Sequence, residues 1–196
     1  MRIGCVYSIE NYCSIDKPLR SPMEIPFGIS IIATVLKVAK HDVDLLVISP
    51  VTSVRKILED YIKEKKPQLF CLSAVSSQFP PIERVAALVK EIDPSIFVVL
   101  GGHHASLAPD QAIECPNLDA LCVSEGGSAV VQLASQLGEG EWPSGIPNLW
   151  IRHPPILEKS KKTLQPASMR NWILSLMLTG LSGRLGLPIH MKRPQF

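Results

Sequence analysis

Not one aspartate or glutamate occurs after Glu158 in this chain of 196 residues, and that absence divides an otherwise ordinary charge balance. Residues 1–158 carry 13 basic and 18 acidic side chains, net −5, whereas Lys159, Lys161, Lys162, Arg170, Arg184, Lys192 and Arg193 bring the remainder to +7. The formal total of +2 conceals two unlike segments. An acidic body repels phosphate, which argues against a nucleic-acid binder. No apolar run reaches the roughly 18 to 20 residues that a membrane span needs. The longest candidate, 172–181, is interrupted by Ser175, Thr179 and Gly180. The amino terminus (MRIG) has neither the apolar core nor the small-residue cleavage site of a signal peptide, so a cytoplasmic location is expected. The cysteines are Cys5, Cys13, Cys71, Cys115 and Cys122, and they form no CxxC pair. Reduced thiols are therefore expected, three of them acting as small apolar core residues within strands. A phosphate loop, GxGxxG, a Ser/His/Asp set and paired catalytic carboxylates are also missing. That argues against a simple hydrolase and leaves no residue with a catalytic assignment.

What is present is a strict alternation. Apolar runs at 2–8 (RIGCVYS), 43–48 (VDLLVI), 69–75 (LFCLSAV), 96–100 (IFVVL) and 120–123 (ALCV) read as buried strands. Between them, apolar positions at spacings of three and four predict helices from Pro26 to about Lys40, over 54–62, 82–89 and 128–137, with a short one near 110–114. Residues 145–152 (GIPNLWIR) read as an added edge strand or a connector. The long stretch 9–25 lacks periodicity, and loops of that length in compact domains are usually functional. The pattern predicts an α/β fold, a doubly wound five-stranded parallel sheet with helices on both faces and an irregular carboxy-terminal tail. Ligands are then expected at the carboxyl ends of the strands.

Polar clusters do follow those strand ends. Gly101-Gly102 after the fourth strand permits close backbone approach to a ligand, or a tight strand-to-helix turn. Ser124-Glu125-Gly126-Gly127-Ser128 leads into a helix whose amino end suits an anion, and Ser128 as a plain N-cap explains part of it equally well. His103 and His104, taken as extended, point in opposite directions and have no ligand spacing near them, so no metal site is expected.

The ordered segments PFGISIIATVLKVAKHDVDLLVI, LSAVSSQF, VVLGGHHASLAPD, SEGGSAVVQLASQL and IPNLWIR resemble the N-terminal cobalamin-binding domain of cobalamin-dependent radical S-adenosylmethionine enzymes, over about residues 1–158. The resemblance implies a flavodoxin-like sheet whose strand-end loops grip the corrin, with the nucleotide tail in a cleft between the sheet and a helix. It implies cofactor-binding roles for Gly28, Ser73, Val75, Ser76, Gly101, Gly102, His103, Ser106, Glu125 and Gly126. Ser73-Ala74-Val75 stands where the family has S-x-L, and Gly101-Gly102 where it has a G-G pair. The family's D-x-H-x-x-G is absent: in Met23-Glu24-Ile25-Pro26-Phe27-Gly28 only the glycine remains, and Ile25 replaces the histidine that would reach cobalt. The implied cofactor is cobalamin without that axial histidine.

Such enzymes continue into a barrel with a C-x-x-x-C-x-x-C cluster motif, and no cysteine here has that spacing. No iron-sulfur cluster is expected in this chain. The expected organisation is a cobalamin-binding domain at 1–140, a connector at 141–158 and a poorly ordered basic tail at 159–196. A shifted reading frame and a basic segment resting on a membrane or partner are two open accounts of that tail. The resemblance makes the chain a cofactor module that is part of, or serves, a radical S-adenosylmethionine domain or subunit, without catalysis of its own. The alternatives are a ligand-free flavodoxin-like sensor or interaction domain, and a flavin- or nucleotide-binding domain.

Overall fold

The computed structural model describes residues 1–8, 27–48 and 53–152. The expected long loop at 9–25, the stretch containing Ile25 and the tail at 159–196 lie outside the described residues. The chain begins with β1 (Arg2–Ser8) and continues through α1 (Phe27–Val38), β2 (Asp42–Ile48), α2 (Val54–Lys65) and β3 (Leu69–Ser73). A single 3₁₀ turn (Ser76–Gln78) then precedes α3 (Phe79–Ile92), β4 (Phe97–Gly101), α4 (His103–Leu107) and α5 (Pro109–Glu114). β5 (Ala120–Cys122), α6 (Gly127–Gly138) and β6 (Leu149–Ile151) complete the described run. Pro80 and Pro81 do not interrupt α3, because a proline in the first helical turn lacks only an amide that would be unpaired there anyway.

The sheet order is β2-β1-β3-β4-β5-β6, with β6 alone antiparallel, against β5. The five parallel strands have the doubly wound order expected, and 145–152 supplies an edge strand beyond them. In-register pairing sets Cys5 beside Cys71, Cys71 beside Val99, and Ser73 beside Gly101. Alternate residues feed two cores. Ile3, Cys5, Cys71, Val99 and Cys122 pack with α1 and α6 on one face, while Val6, Phe70, Leu72 and Leu100 pack with α2 and α3 on the other. Phe70 is fully buried and meets Tyr61 edge-on at 5.9 Å. Removing a ring so placed typically costs about 3–5 kcal/mol. Cys5, Cys71 and Cys122 are buried and free, as the strand pattern predicted.

The last strands are pinned by charge as well as by packing. Lys90 Nζ stands 2.6 Å from Asp119 Oδ2 in a mostly buried pair, and the same carboxylate oxygen accepts from the Val98 amide at 2.7 Å. Arg152, just after β6, donates to the carbonyls of Ile113, Cys115 and Pro116. Trp142 lies over Phe97 at 5.6 Å and Ser144 exchanges two hydrogen bonds with Gln136, so the stretch leading to β6 is packed on the sheet and on α6. Among the described residues no helix is long and apolar enough to cross a membrane.

Candidate functional site

The winding direction reverses between β1 and β3, which are neighbours although β2 lies between them in sequence. At such a switch point the connections leave toward opposite faces, and their divergence opens a crevice at the carboxyl ends of the strands. Ser8, Ser73, Gly101 and Cys122 end the strands along this rim.

Two expected residues meet here. Gly102 has φ +90° and ψ −172°, a conformation essentially reserved for glycine. A β-carbon on it would lie 2.9 Å from Ser73 Oγ and 2.8 Å from Ala74 O. The Ser73 hydroxyl therefore occupies the space that a side chain at 102 would take. Gly101 differs from its neighbour. It ends β4 without a positive φ, and a β-carbon there would make ordinary contacts, the nearest 3.7 Å from Cys122 Cβ. Of the pair, only Gly102 is required by geometry. At Gly126 an added β-carbon would stand 3.2 Å from both Cys122 Sγ and Ile32 Cδ1, between β5 and α1. Gly28 is exposed in the first turn of α1 and an added β-carbon would touch nothing within 4 Å.

The rest of the rim is laced together. Gln78 Nε2 donates to Tyr7 Oη at 3.3 Å, and Gln78 Oε1 accepts from the Val75 amide at 3.4 Å. The Ala74 amide donates to Gly101 O, and the His104 amide to Ala74 O. Ser106 Oγ donates to Gly102 O and accepts from the Ser124 amide. Asn148 Nδ2 donates to Glu125 O, and Asn148 O accepts from Val123. Ser124 and Asn148 both have left-handed backbones, φ +76° and +65°. Left-handed non-glycine residues cost of order 1–3 kcal/mol each and persist where neighbours over-determine them, as these hydrogen bonds do.

Two readings of the sequence are corrected. The histidine pair is not extended: residues 103–107 form α4, leaving His103 exposed and His104 buried. A short helix between Gly102 and Pro109 was hidden because five residues are too few to show a period. Ser128 is not an N-cap either. Gly126 holds that position and Ser128 lies inside α6. The remaining expected residues line the same end of the sheet: Val75 and Glu125 are exposed, and Ser76 and Ser106 are bound into the lacing.

Gln78, Tyr7, Asn148 and His104 were missed. Asn148, in the loop PN before an apolar run, was the one with a legible signal, since asparagine tolerates left-handed backbone. Among the described residues no three His, Cys, Asp or Glu gather as metal ligands. A cavity of about 500 Å³ lined by Arg2, Lys40, Asp42, Lys66 and Gln68 lies at the other, amino end of β1 and β2. It is distant from the switch point and from the glycines.

The rim suits a large cofactor approached by backbone. Gly102 lets the Ser73 hydroxyl and the Ala74 backbone close against its Cα, and Gly126 lets Cys122 and Ile32 close on it, so that the strand ends meet through backbone. Comparison with known proteins agrees. An uncharacterized methyltransferase of Pyrococcus horikoshii is 28% identical over 122 residues, which are 62% of this chain and 26% of that protein. The radical S-adenosylmethionine methyltransferase TsrM of Kitasatospora setae superposes with a TM-score of 0.63 at 18% identity, covering 76% of this chain and 28% of that one. A cobalamin-binding protein of Desulfitobacterium hafniense superposes with a TM-score of 0.50 at 15% identity, covering 69% and 57%. The chain thus spans about a quarter of the length of the first two. The model of the B12 binding domain matches residues 22–134, taking in α1 through most of α6 and every glycine of the rim. With a fold, a switch point and a glycine cradle that all suit it, the chain belongs to the B12 binding domain family.

Proposed function

We propose that this chain is the cobalamin-holding module of, or for, a cobalamin-dependent radical S-adenosylmethionine enzyme, and that it works in the cytoplasm. The observation that carries this reading is the meeting of Ser73 Oγ with the Cα of Gly102 between β3 and β4, beside the switch point of a B12-family sheet. Ser73 would offer its hydroxyl to a nitrogen heterocycle of the nucleotide tail, since a hydroxyl can donate or accept as the partner requires. Gly101, Gly102 and Gly126 would line the tail with backbone alone. Val75, Ser76, His103, Ser106 and Glu125 would face the corrin edge, and Gly28 would flank the tail from α1. Cobalamin, when bound, would supply an alkyl-transferring or electron-carrying cobalt centre to chemistry completed elsewhere.

With Ile25 in place of the family's histidine, that position would offer the cofactor no imidazole. The radical domain that the relatives imply would be a separate segment or subunit. The test is incubation of the full chain with hydroxocobalamin, then gel filtration. A coloured protein peak in near-stoichiometric amount is expected. A colourless peak overturns the reading, and retention of flavin instead identifies the alternative ligand. Paramagnetic resonance of the reduced complex is expected to show no coupling to a protein histidine nitrogen. Such coupling, if it is lost when one histidine is replaced, would leave the cobalamin reading and remove the open lower face.

A further inference from the structure

The loop between β3 and α3 carries Ser73, Val75 and Ser76, and it is held from two sides. From β1, Tyr7 and Gln78 fix the Val75 amide. From β4 and α4, Gly101 O and the His104 amide hold Ala74 through the main chain. The His104 side chain adds a third fixing. Its Nδ1 lies 3.2 Å from Ser76 Oγ, and its ring stacks on Phe79 with centroids 4.0 Å apart and planes inclined by 26°. The residue is 3% exposed, and among the described residues its Nε2 is buried without a hydrogen-bond partner.

A buried polar atom without a partner is rare enough to need a reason. Packing does not supply one, because a phenylalanine would stack on Phe79 without leaving a nitrogen bare. What a phenylalanine cannot do is hold the Ser76 hydroxyl. Only the neutral ring suits this place: one nitrogen is satisfied by serine, and the other has no acceptor among the described residues to receive a second proton.

We propose that His104 is a positioning residue which, while uncharged, pins Ser76 and so keeps the Ser73–Gln78 loop in the form that holds cobalamin over Gly102. It acts through Ser76 and Ala74 and does not touch the cofactor. The inference rests on the cobalamin reading above. Protonation would place a charge against Phe79 with nothing among the described residues to pair it, and the ring would leave its place. Among the described residues, the titratable side chains on the helices packed around it are the exposed His103 on α4, Asp110 and Glu114 on α5, and Glu83, Arg84, Lys90 and Glu91 on α3, of which Lys90 is paired with Asp119 and Glu91 with Arg55. Gln78 carries the contact toward the Tyr7 phenol of β1. None of these charges acts on the ring, whose affinity for a proton is lowered by burial alone.

The test uses the full chain and hydroxocobalamin, with the dissociation constant measured by ultrafiltration and absorbance between pH 5 and pH 8. His104→Phe keeps the stack and loses the hydrogen bond. Ser76→Ala loses the same bond from the other side while leaving the ring in place. The wild-type chain is expected to bind with constant affinity at the alkaline end and progressively less tightly only at a pH under the ordinary histidine value of about 6.5, because burial lowers the ring's affinity for a proton. Each variant is expected to bind about tenfold more weakly at pH 7.5, the worth of one hydrogen bond. His104→Phe should also lose the pH dependence, which separates protonation of the ring from any titration of the cofactor itself. Thermal melting of each variant checks that it is folded, and Ser76→Ala keeps the proposal open to refutation if His104→Phe does not fold. Wild-type affinity in Ser76→Ala, or an unchanged pH profile in a folded His104→Phe, overturns the pin and leaves the cobalamin reading standing. Absence of binding by the wild type at every pH overturns both.

Discussion

A single methyl group added at position 102 should separate the geometric account of the rim from a looser one. The conformation at φ +90° and ψ −172° costs an L residue roughly 1–3 kcal/mol. The new β-carbon would stand 2.8 Å from Ala74 O, 2.9 Å from Ser73 Oγ and 3.1 Å from the Ala74 nitrogen. Two of these three atoms are backbone, already fixed by hydrogen bonds to Gly101 O and the His104 amide, so the loop cannot simply rotate away. Relief of overpacking of this kind costs about another 1–3 kcal/mol. Gly102→Ala should therefore lose roughly 2–6 kcal/mol, a large share of the roughly 5–15 kcal/mol by which domains are stable. Gly101→Ala is the internal control. Its β-carbon would lie 3.7 Å from Cys122 Cβ in ordinary contact, and the change should stay within about 1 kcal/mol of wild type. Urea unfolding followed by circular dichroism measures both, with cobalamin retention in parallel. Equal midpoints for the two variants would refute the reasoning, because the sequence treats the two glycines alike and only the geometry distinguishes them.

Four further outcomes are expected. Asp119→Ala leaves the Lys90 ammonium and the Val98 amide without their shared carboxylate, and should cost roughly 2–4 kcal/mol by the same unfolding assay. Arg152→Lys keeps the charge but cannot reach the carbonyls of Ile113, Cys115 and Pro116 together, so amide exchange should quicken through α5 and β5. The Cys71 thiol is pushed up by its hydrogen bond with Cys5 and by burial, and burial pushes Cys122 up to about 11. Peptide mapping after iodoacetamide at pH 8 should find both protected until the chain is unfolded. His104 is lowered by burial, and His41 by burial and by the Met1 ammonium 3.4 Å away. Below about pH 6.5 the unfolded chain then binds more protons than the folded one. Stability should fall through that window, levelling once the folded histidines are also protonated, and urea midpoints at pH 7.5, 6.5 and 5.5 check the direction.

The framework was legible because parallel strands are continuous apolar runs and their helices repeat every three to four residues. β1, α5 and β5 fall within a residue or two of their expected limits, and the alternation alone gives the winding. β3 stops at Ser73 and not at Val75, since the Ala74 amide makes the last ladder bond, to Gly101 O, and the Ala74 carbonyl is taken by the His104 amide of α4. The short elements were not legible. α4 has five residues and its character depends on Gly102 and Pro109 at its ends, not on a pattern within it. The sequence places the rim's candidate residues just after strand ends, as the fold does, but it does not show the partners that hold them. His104 reaches Ser76 across 28 positions, Gln78 reaches Tyr7 across 71, and no local pattern encodes such a meeting.

The most direct measurement is a residue-resolved map of where cobalamin touches the full chain, from amide chemical shifts recorded during titration with hydroxocobalamin. The account predicts changes concentrated at Ser73–Gln78, Gly101–Ser106 and Ser124–Gly127, with little change at Arg2, Lys40 and Lys66. Shifts gathered at the amino ends of β1 and β2 instead, or none at saturating cofactor, would contradict it.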